Sequence, residues 1–278
     1  MASSAKVAVV GHVEWVEFAR VDHVPKPGEI VHANERWEEP AGGGAVAAVQ
    51  LAKLAGQAAL YTKLGDDELG RRVPDALARH GVRVFATFAP TEQRRAFTFI
   101  DARGERTITV LGERLGPSAD DPLPWEELAA ADGVYFTAGD EGTLRAARSA
   151  RTLVATARVL PFLAEAGVPL DAVVGSGRDP DERYDDTALR PPPGLVVRTA
   201  GADGGSYQRQ GRERRTFPAA SLPGPIVDAY GCGDSFAAGL TFALGSGLSD
   251  GESVDLAARC GAFCLTGKGP YEGQLSLR

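Results

Sequence analysis

The sequence predicts an α/β fold: a doubly wound, mainly parallel sheet flanked by helices, built as one domain over residues 1–278. Three observations predict it. Short β-branched runs alternate with Ala- and Gly-rich helical runs along most of the chain, the order expected of strands joined by helical crossovers. The helical runs begin after Gly or Asp turns and stop at Gly56 and Gly81. Residues 96–100 and 106–111 are β-prone and joined by Asp101-Ala102-Arg103-Gly104-Glu105, which reads as a hairpin. Its two faces mix polar and apolar residues, as in a flap lying over something.

The elements follow in order. Residues 6–10 form a strand ending at Gly11, and after the turn Pro25-Lys26-Pro27-Gly28 residues 29–38 read as an exposed strand. Pro40-Ala41-Gly42-Gly43-Gly44 opens a helix over 45–54. A strand over 58–64 leads through Gly65-Asp66-Asp67 into a helix over 68–80, and a strand follows at 82–88. Beyond the hairpin come a buried strand at 133–137, a helix over 141–156, and strands at 172–174 and 195–199 with a return from Gly204 to Gln208. Two small-residue helices, 235–244 and 252–265, close the chain.

Composition narrows the function. With 44% hydrophobic and 24% charged residues the chain reads as an ordinary globular protein. A net charge of -7 argues against nucleic acid as partner, since polyanion binding favours a basic face. No apolar stretch is long enough for a membrane span, and the start lacks the pattern of a signal peptide. Three cysteines, Cys232, Cys260 and Cys264, imply no disulfide framework and fit a reducing cytoplasm. The four histidines lack zinc spacing.

The segment carrying chemistry is Asp228-Ala229-Tyr230-Gly231-Cys232-Gly233-Asp234-Ser235. Gly231 and Gly233 let a backbone approach an anion, and amides at a helix start favour negative charge. Asp234 then stands where it can accept a hydroxyl proton during phosphoryl transfer, with the helix start keeping it ionised. Local spacing alone equally suits an Asp that merely caps a helix after a Gly turn. Gly267-Lys268 does not make a Walker motif, because the spacing from Gly261 is too long and Gly269 replaces the hydroxyl residue. Gly42-Gly43-Gly44 lacks the dinucleotide pattern.

Taken together, these landmarks give the chain a resemblance to ribokinase-like (PfkB) carbohydrate kinases over nearly its whole length. They are Gly11, Pro25-Lys26-Pro27-Gly28-Glu29, Gly42-Gly43, Leu64-Gly65-Asp66-Asp67-Glu68-Leu69-Gly70, Gly104-Glu105-Arg106, Thr199-Ala200-Gly201-Ala202-Asp203-Gly204 and Gly231-Cys232-Gly233-Asp234. The resemblance implies an ATP-dependent kinase acting on a hydroxyl, primary by expectation, of a sugar or sugar-like molecule. It implies a small β-sheet lid from about 13–38 and 95–111, which could also form a homodimer. Asp234 becomes the base, and Gly231, Cys232 and Gly233 the anion hole. Glu14, Gly42, Gly43 and Gly44 line the acceptor. Thr199, Gly201, Gly204 and Ser176 line ATP, Asp179 acts indirectly on magnesium, and Asp228 stands at a loop where potassium can bind. Cys232 is read as a small residue offering its N–H, not as a nucleophile.

The sequence departs from the family at the acceptor. Val16 stands where many members carry an acid and Ala47 where they carry Asn. Buried sugar hydroxyls need partners, so two losses of roughly 1–3 kcal/mol each must be met by other groups such as Glu14, or by a different acceptor. Ser176 and Asp179 replace an Asn and a Glu at the magnesium loop. Trp15 and Trp37 could stack on a base, which makes a nucleoside kinase the near alternative. A catalytically degenerate metabolite binder is the alternative of a different class.

Overall fold

The computed structural model describes residues 5–277. The chain runs β1 (Val7–Val10), β2 (Glu14–Arg20), β3 (Glu35–Ala41), α1 (Gly42–Ala55), β4 (Ala58–Gly65), α2 (Glu68–Ala78) and β5 (Val82–Ala89). It continues with β6 (Arg95–Ile100), β7 (Arg106–Leu111), β8 (Gly133–Phe136), α3 (Glu141–Ala147), β9 (Leu153–Thr156) and α4 (Leu160–Ala166). The last part holds β10 (Ala172–Ser176), β11 (Leu195–Thr199), β12 (Gly205–Arg209), β13 (Arg215–Phe217), α5 (Cys232–Gly245) and α6 (Asp250–Cys264).

The large sheet has the order β13-β12-β11-β10-β9-β8-β1-β4-β5. Its strands from β11 to β5 are parallel, and β12 and β13 add two antiparallel pairings at one edge. Strand β1 shows why helices cover both faces. All four of its residues are buried; Val7 and Val9 join one apolar cluster, Ala8 and Val10 the other. A strand buried on both sides needs a helical layer on each, which a doubly wound sheet supplies. The first cluster includes residues of α1, α5 and α6, the second residues of α3 and α4.

A separate four-stranded sheet has the order β3-β2-β6-β7. Gln93 ties it to the core: its side chain accepts from the Gly65 amide at 3.0 Å and donates to the Val13 carbonyl at 2.8 Å. The Gln93 amide in turn donates to Asp67, which also caps α2 through the Gly70 amide.

Three sequence expectations are corrected. The helix expected over 141–156 ends at Ala147, and Leu153–Thr156 is a fully inserted parallel strand. A four-residue apolar run has no period that separates a buried strand from helix. The second strand lies at Glu35–Ala41, not 29–38, because residues 25–34 form a turn-rich exposed loop. Helix α5 begins at Cys232, so Asp234 lies inside its first turn and is not its cap.

Candidate active site

The site residues collect at the carboxyl ends of the parallel strands. In such sheets a crevice opens where successive connections leave in opposite directions. Here that point lies between β1 and β8, which are neighbours joined to different halves of the sheet. Gly11 and His12 follow β1, and Thr137 follows β8. The N-termini of α1 and α5 both open onto this place.

Asp234 and the Gly42-Gly43-Gly44 turn face each other. A Cβ placed on Gly43 would lie 2.9 Å from Asp234 Oδ1, so only glycine leaves that carboxylate room. Gly231 caps α5 with φ 78°, a left-handed conformation that any other residue adopts at a cost. A Cβ there would also meet Val46 Cγ1 at 2.8 Å. The first bond of the helix is Ser235 N to Gly231 O. The amides of Cys232, Gly233 and Asp234 therefore precede the helical ladder, and among the described residues no protein oxygen takes them. The Cys232 thiol is pushed up by burial, which keeps it a neutral, poor nucleophile.

Burial pushes the Asp234 carboxyl up to about 7, and the Glu182 and Glu14 carboxylates add to the shift. Arg106 and Arg158 oppose it. The expectation that the helix start keeps this acid fully ionised is thus corrected: desolvation in the crevice outweighs it, and near neutrality the carboxyl is divided between its two forms.

On one side of the crevice, Glu14 begins β2 and is only 6% exposed. Its Oε1 lies 2.7 Å from Arg94 Nε and 3.8 Å from His12 Nε2. Its Cγ lies 3.1 Å from where a Cβ on Gly42 would sit. Burial raises its carboxyl, offset by Arg94 and Arg114. His12 is buried, its Cε1 lies 3.5 Å from the Cβ position of Gly43, and its Nδ1 has no partner. Burial and the arginines Arg114, Arg94 and Arg158 push the imidazole down to about 3, so it is neutral. Val16 and Ala47 are fully buried in the same apolar cluster and offer nothing polar. Trp15 lies under Arg72 at 4.4 Å, and Trp37 stacks on Phe18 at 4.9 Å. Both rings are committed within the protein, which corrects the expectation that they stack on a base.

On the other side, Ser176 and Thr199 end β10 and β11 in register, and Gly201 and Gly204 flank the turn that follows β11. Ser176 Oγ accepts from the amides of Arg178 and Asp179. Arg178 spans to Asp203 at 3.0 Å, laying its guanidinium against Gly201. Arg158 bonds both Asp179 and Glu182. Asp228 is fully buried, with Oδ1 accepting from the Tyr230 amide at 2.8 Å and Oδ2 from the Gly269 amide at 3.0 Å. It therefore braces the loop before α5 against the loop after α6. Among the described residues no group of three metal-binding side chains exists. Magnesium bound largely by phosphates and water needs only one or two protein carboxylates, and Asp179 and Glu182 fit that demand.

The structure thus gathers Glu14, Gly42, Gly43, Gly44, Gly231, Cys232, Gly233 and Asp234 on one stretch of the crevice. It adds His12, Arg94, Arg158 and Glu182, which sequence reasoning missed. Arg94 stands directly before the predicted hairpin, and His12 directly after the first-strand glycine. Those positions were the available signals.

A pfkB family carbohydrate kinase model matches residues 4–168 and 188–276. A fructokinase from Klebsiella pneumoniae is 30% identical over 286 residues, covering 85% of this chain and 90% of its own length. The solved ribokinase of Arabidopsis thaliana, complexed with ribose and ATP, has a TM-score of 0.74 at 19% identity, covering 98% of this chain and 96% of that one. The adenosine kinase of Sinorhizobium meliloti has a TM-score of 0.77 at 21% identity, covering 96% and 95%. At these identities the two structures establish the shared fold.

Proposed function

The chain belongs to the pfkB carbohydrate kinase family, and from that premise we propose that it uses ATP to phosphorylate a hydroxyl, primary on this reading, of a sugar or sugar-like small molecule. One observation carries the proposal: the Asp234 carboxylate stands in the first turn of α5, beside amides that no protein oxygen takes among the described residues and against the Gly43 turn.

The acceptor hydroxyl lies against Asp234 beside the Gly43 turn, with Glu14 and His12 lining the ring. Asp234 takes the hydroxyl proton as the oxygen bonds to the terminal phosphorus, and the bond from that phosphorus to the ADP oxygen breaks. The amides of Cys232, Gly233 and Asp234 receive the charge spread over the phosphoryl oxygens. Such transfer depends mainly on position and fixed dipoles, so this modest set of groups suffices. A carboxyl poised at about 7 is matched to a base working near neutrality. ATP lies along Ser176, Thr199, Gly201 and Gly204. Asp179 and Glu182 would hold the magnesium ion, which supplies charge neutralisation on the phosphates. A potassium ion at the Asp228 loop would be held by loop carbonyls, with the Asp228 carboxylate bracing that loop through the Tyr230 and Gly269 amides. The small sheet acts as the lid. Its β7 edge is exposed throughout and presents Ile108 and Val110, which supports a homodimer through that edge.

The buried Val16 and Ala47 favour the second reading, a degenerate metabolite binder. One assay decides between them: ADP release with ATP and a panel of pentoses, hexoses, sugar acids and nucleosides. The kinase reading expects release that depends on an added acceptor and disappears in Asp234→Asn. Acceptor-independent release, or an Asn variant turning over like wild type, overturns it.

A further inference from the structure

Three guanidinium groups act on the crevice, and their commitments differ. Arg94 is bound to Glu14 at 2.7 Å. Arg158 is bound to Asp179 and Glu182. Arg114 has no hydrogen bond or ion pair among the described residues, although Glu14, Arg94 and Arg158 all act on it electrostatically. The chain path explains its placement. Residue 112 follows the end of β7, and a Cβ on Gly112 would lie 3.9 Å from Arg94 Cα. Gly116 reaches the core, where its Cβ would lie 3.2 Å from the Gly139 amide nitrogen, beyond the end of β8. Arg114 is the midpoint of this crossing from the small sheet to the large one. It is exposed to solvent, yet it exerts the largest single charge effect on buried His12.

From Asp234 the crevice wall runs past Gly43, then His12, then Glu14 and Arg94, each step within 4 Å of the next through side-chain atoms or a glycine Cβ position. At its far end Glu14 pairs with Arg94, and Arg114, unpaired among the described residues, acts electrostatically on both. The positions where a neutral sugar would find an acid and an amide are filled by Val16 and Ala47, both apolar and buried. An uncommitted guanidinium beside a site stripped of hydroxyl partners suits an anion.

We propose that the acceptor carries a negatively charged group, a carboxylate or a phosphate, seated on Arg114 with Arg94 beside it, while its hydroxyl meets Asp234. This rests on the kinase reading of the crevice and adds the substrate's charge to it. Glu14 then serves to orient Arg94 instead of binding a sugar hydroxyl.

The test is calorimetric titration of matched series: ribose, ribonate and ribose 1-phosphate, then glucose, gluconate and glucose 1-phosphate. Wild type and Arg114→Gln are compared, and phosphorylation of each compound is followed separately. Arg114 makes no contact on which the fold depends, so the variant is expected to fold. In wild type an acid or a phosphate binds at least about tenfold tighter than its neutral parent, the gap closes in Arg114→Gln, and Arg114→Lys restores part of it. Preference for the acid identifies a carboxylate, preference for the ester a phosphate. The inference is overturned if the neutral parent binds as well, if the gap survives in Arg114→Gln, or if no anionic member binds at millimolar concentration. Neutral sugars phosphorylated without anion preference would end this inference and leave the kinase reading standing. Anions bound selectively but never phosphorylated would do the reverse.

Discussion

Asp234→Asn is expected to remove turnover and, at neutral pH and above, to stabilise the fold. In the unfolded chain the carboxyl titrates near 3.8, and in the crevice it titrates at about 7. A carboxyl raised on folding binds its proton more tightly in the native state, so ionising it works against folding. The penalty is absent below the unfolded value, grows between the two values, and is constant above the folded one. Roughly three pH units correspond to about 4 kcal/mol at most. Asp234 keeps partial contact with solvent, and its charge gains roughly 0.3–1 kcal/mol from the helix start, so a net gain of about 1–2 kcal/mol for Asn at about pH 8 is the working figure. Urea unfolding of both proteins at about pH 5 and about pH 8 reads it: the gap should widen with pH. Removal of the base should lower kcat by about 10²–10⁴ while ATP binding persists. In wild type, kcat/KM should rise with pH and level off near 7. An Asn variant no more stable than wild type at about pH 8, or a gap unchanged by pH, would refute the desolvation argument. A wild-type kcat in that variant would refute the assignment of the base.

Three other outcomes follow from the same geometry. Gly43→Ala puts a methyl 2.9 Å from Asp234 Oδ1 and should cut kcat/KM by about tenfold or more without unfolding the protein, checked by steady-state kinetics beside a melting curve. Arg158→Gln removes a cation that holds the Asp234 carboxyl down and frees Glu182, which holds it up, so the rising limb of the pH–rate profile should move to higher pH. Gly231→Ala combines φ 78° with a contact of 2.8 Å to Val46 and should cost about 2 kcal/mol or more by urea unfolding.

Much of the fold was legible in the sequence because its signals are local. The parallel core follows from short apolar runs punctuated by Gly and Asp, and the hairpin from Asp101 to Glu105 came within a residue of β6 and β7. Strand β9 and the short helix α4 were not legible, since four to seven residues hold too little periodicity and the surrounding layers decide their state. Asp234 and the glycine turns could be singled out because a chain must use particular residues to open a helix onto an anion. The rest of the site comes from distant segments: Arg158 meets Glu182 beyond the ends of neighbouring strands of the large sheet, and Arg94 meets Glu14 where the small sheet begins.

By itself, then, the sequence determined the strand-and-helix order, the family and the acid that faces the turn of glycines. Tertiary structure alone decided that Trp15 and Trp37 are spent on internal packing, that burial pushes the Asp234 carboxyl up to about 7, and that Arg114 has no hydrogen bond or ion pair among the described residues. The reason is physical: backbone preferences act over a few residues, whereas burial and charge depend on which remote groups share the same small volume.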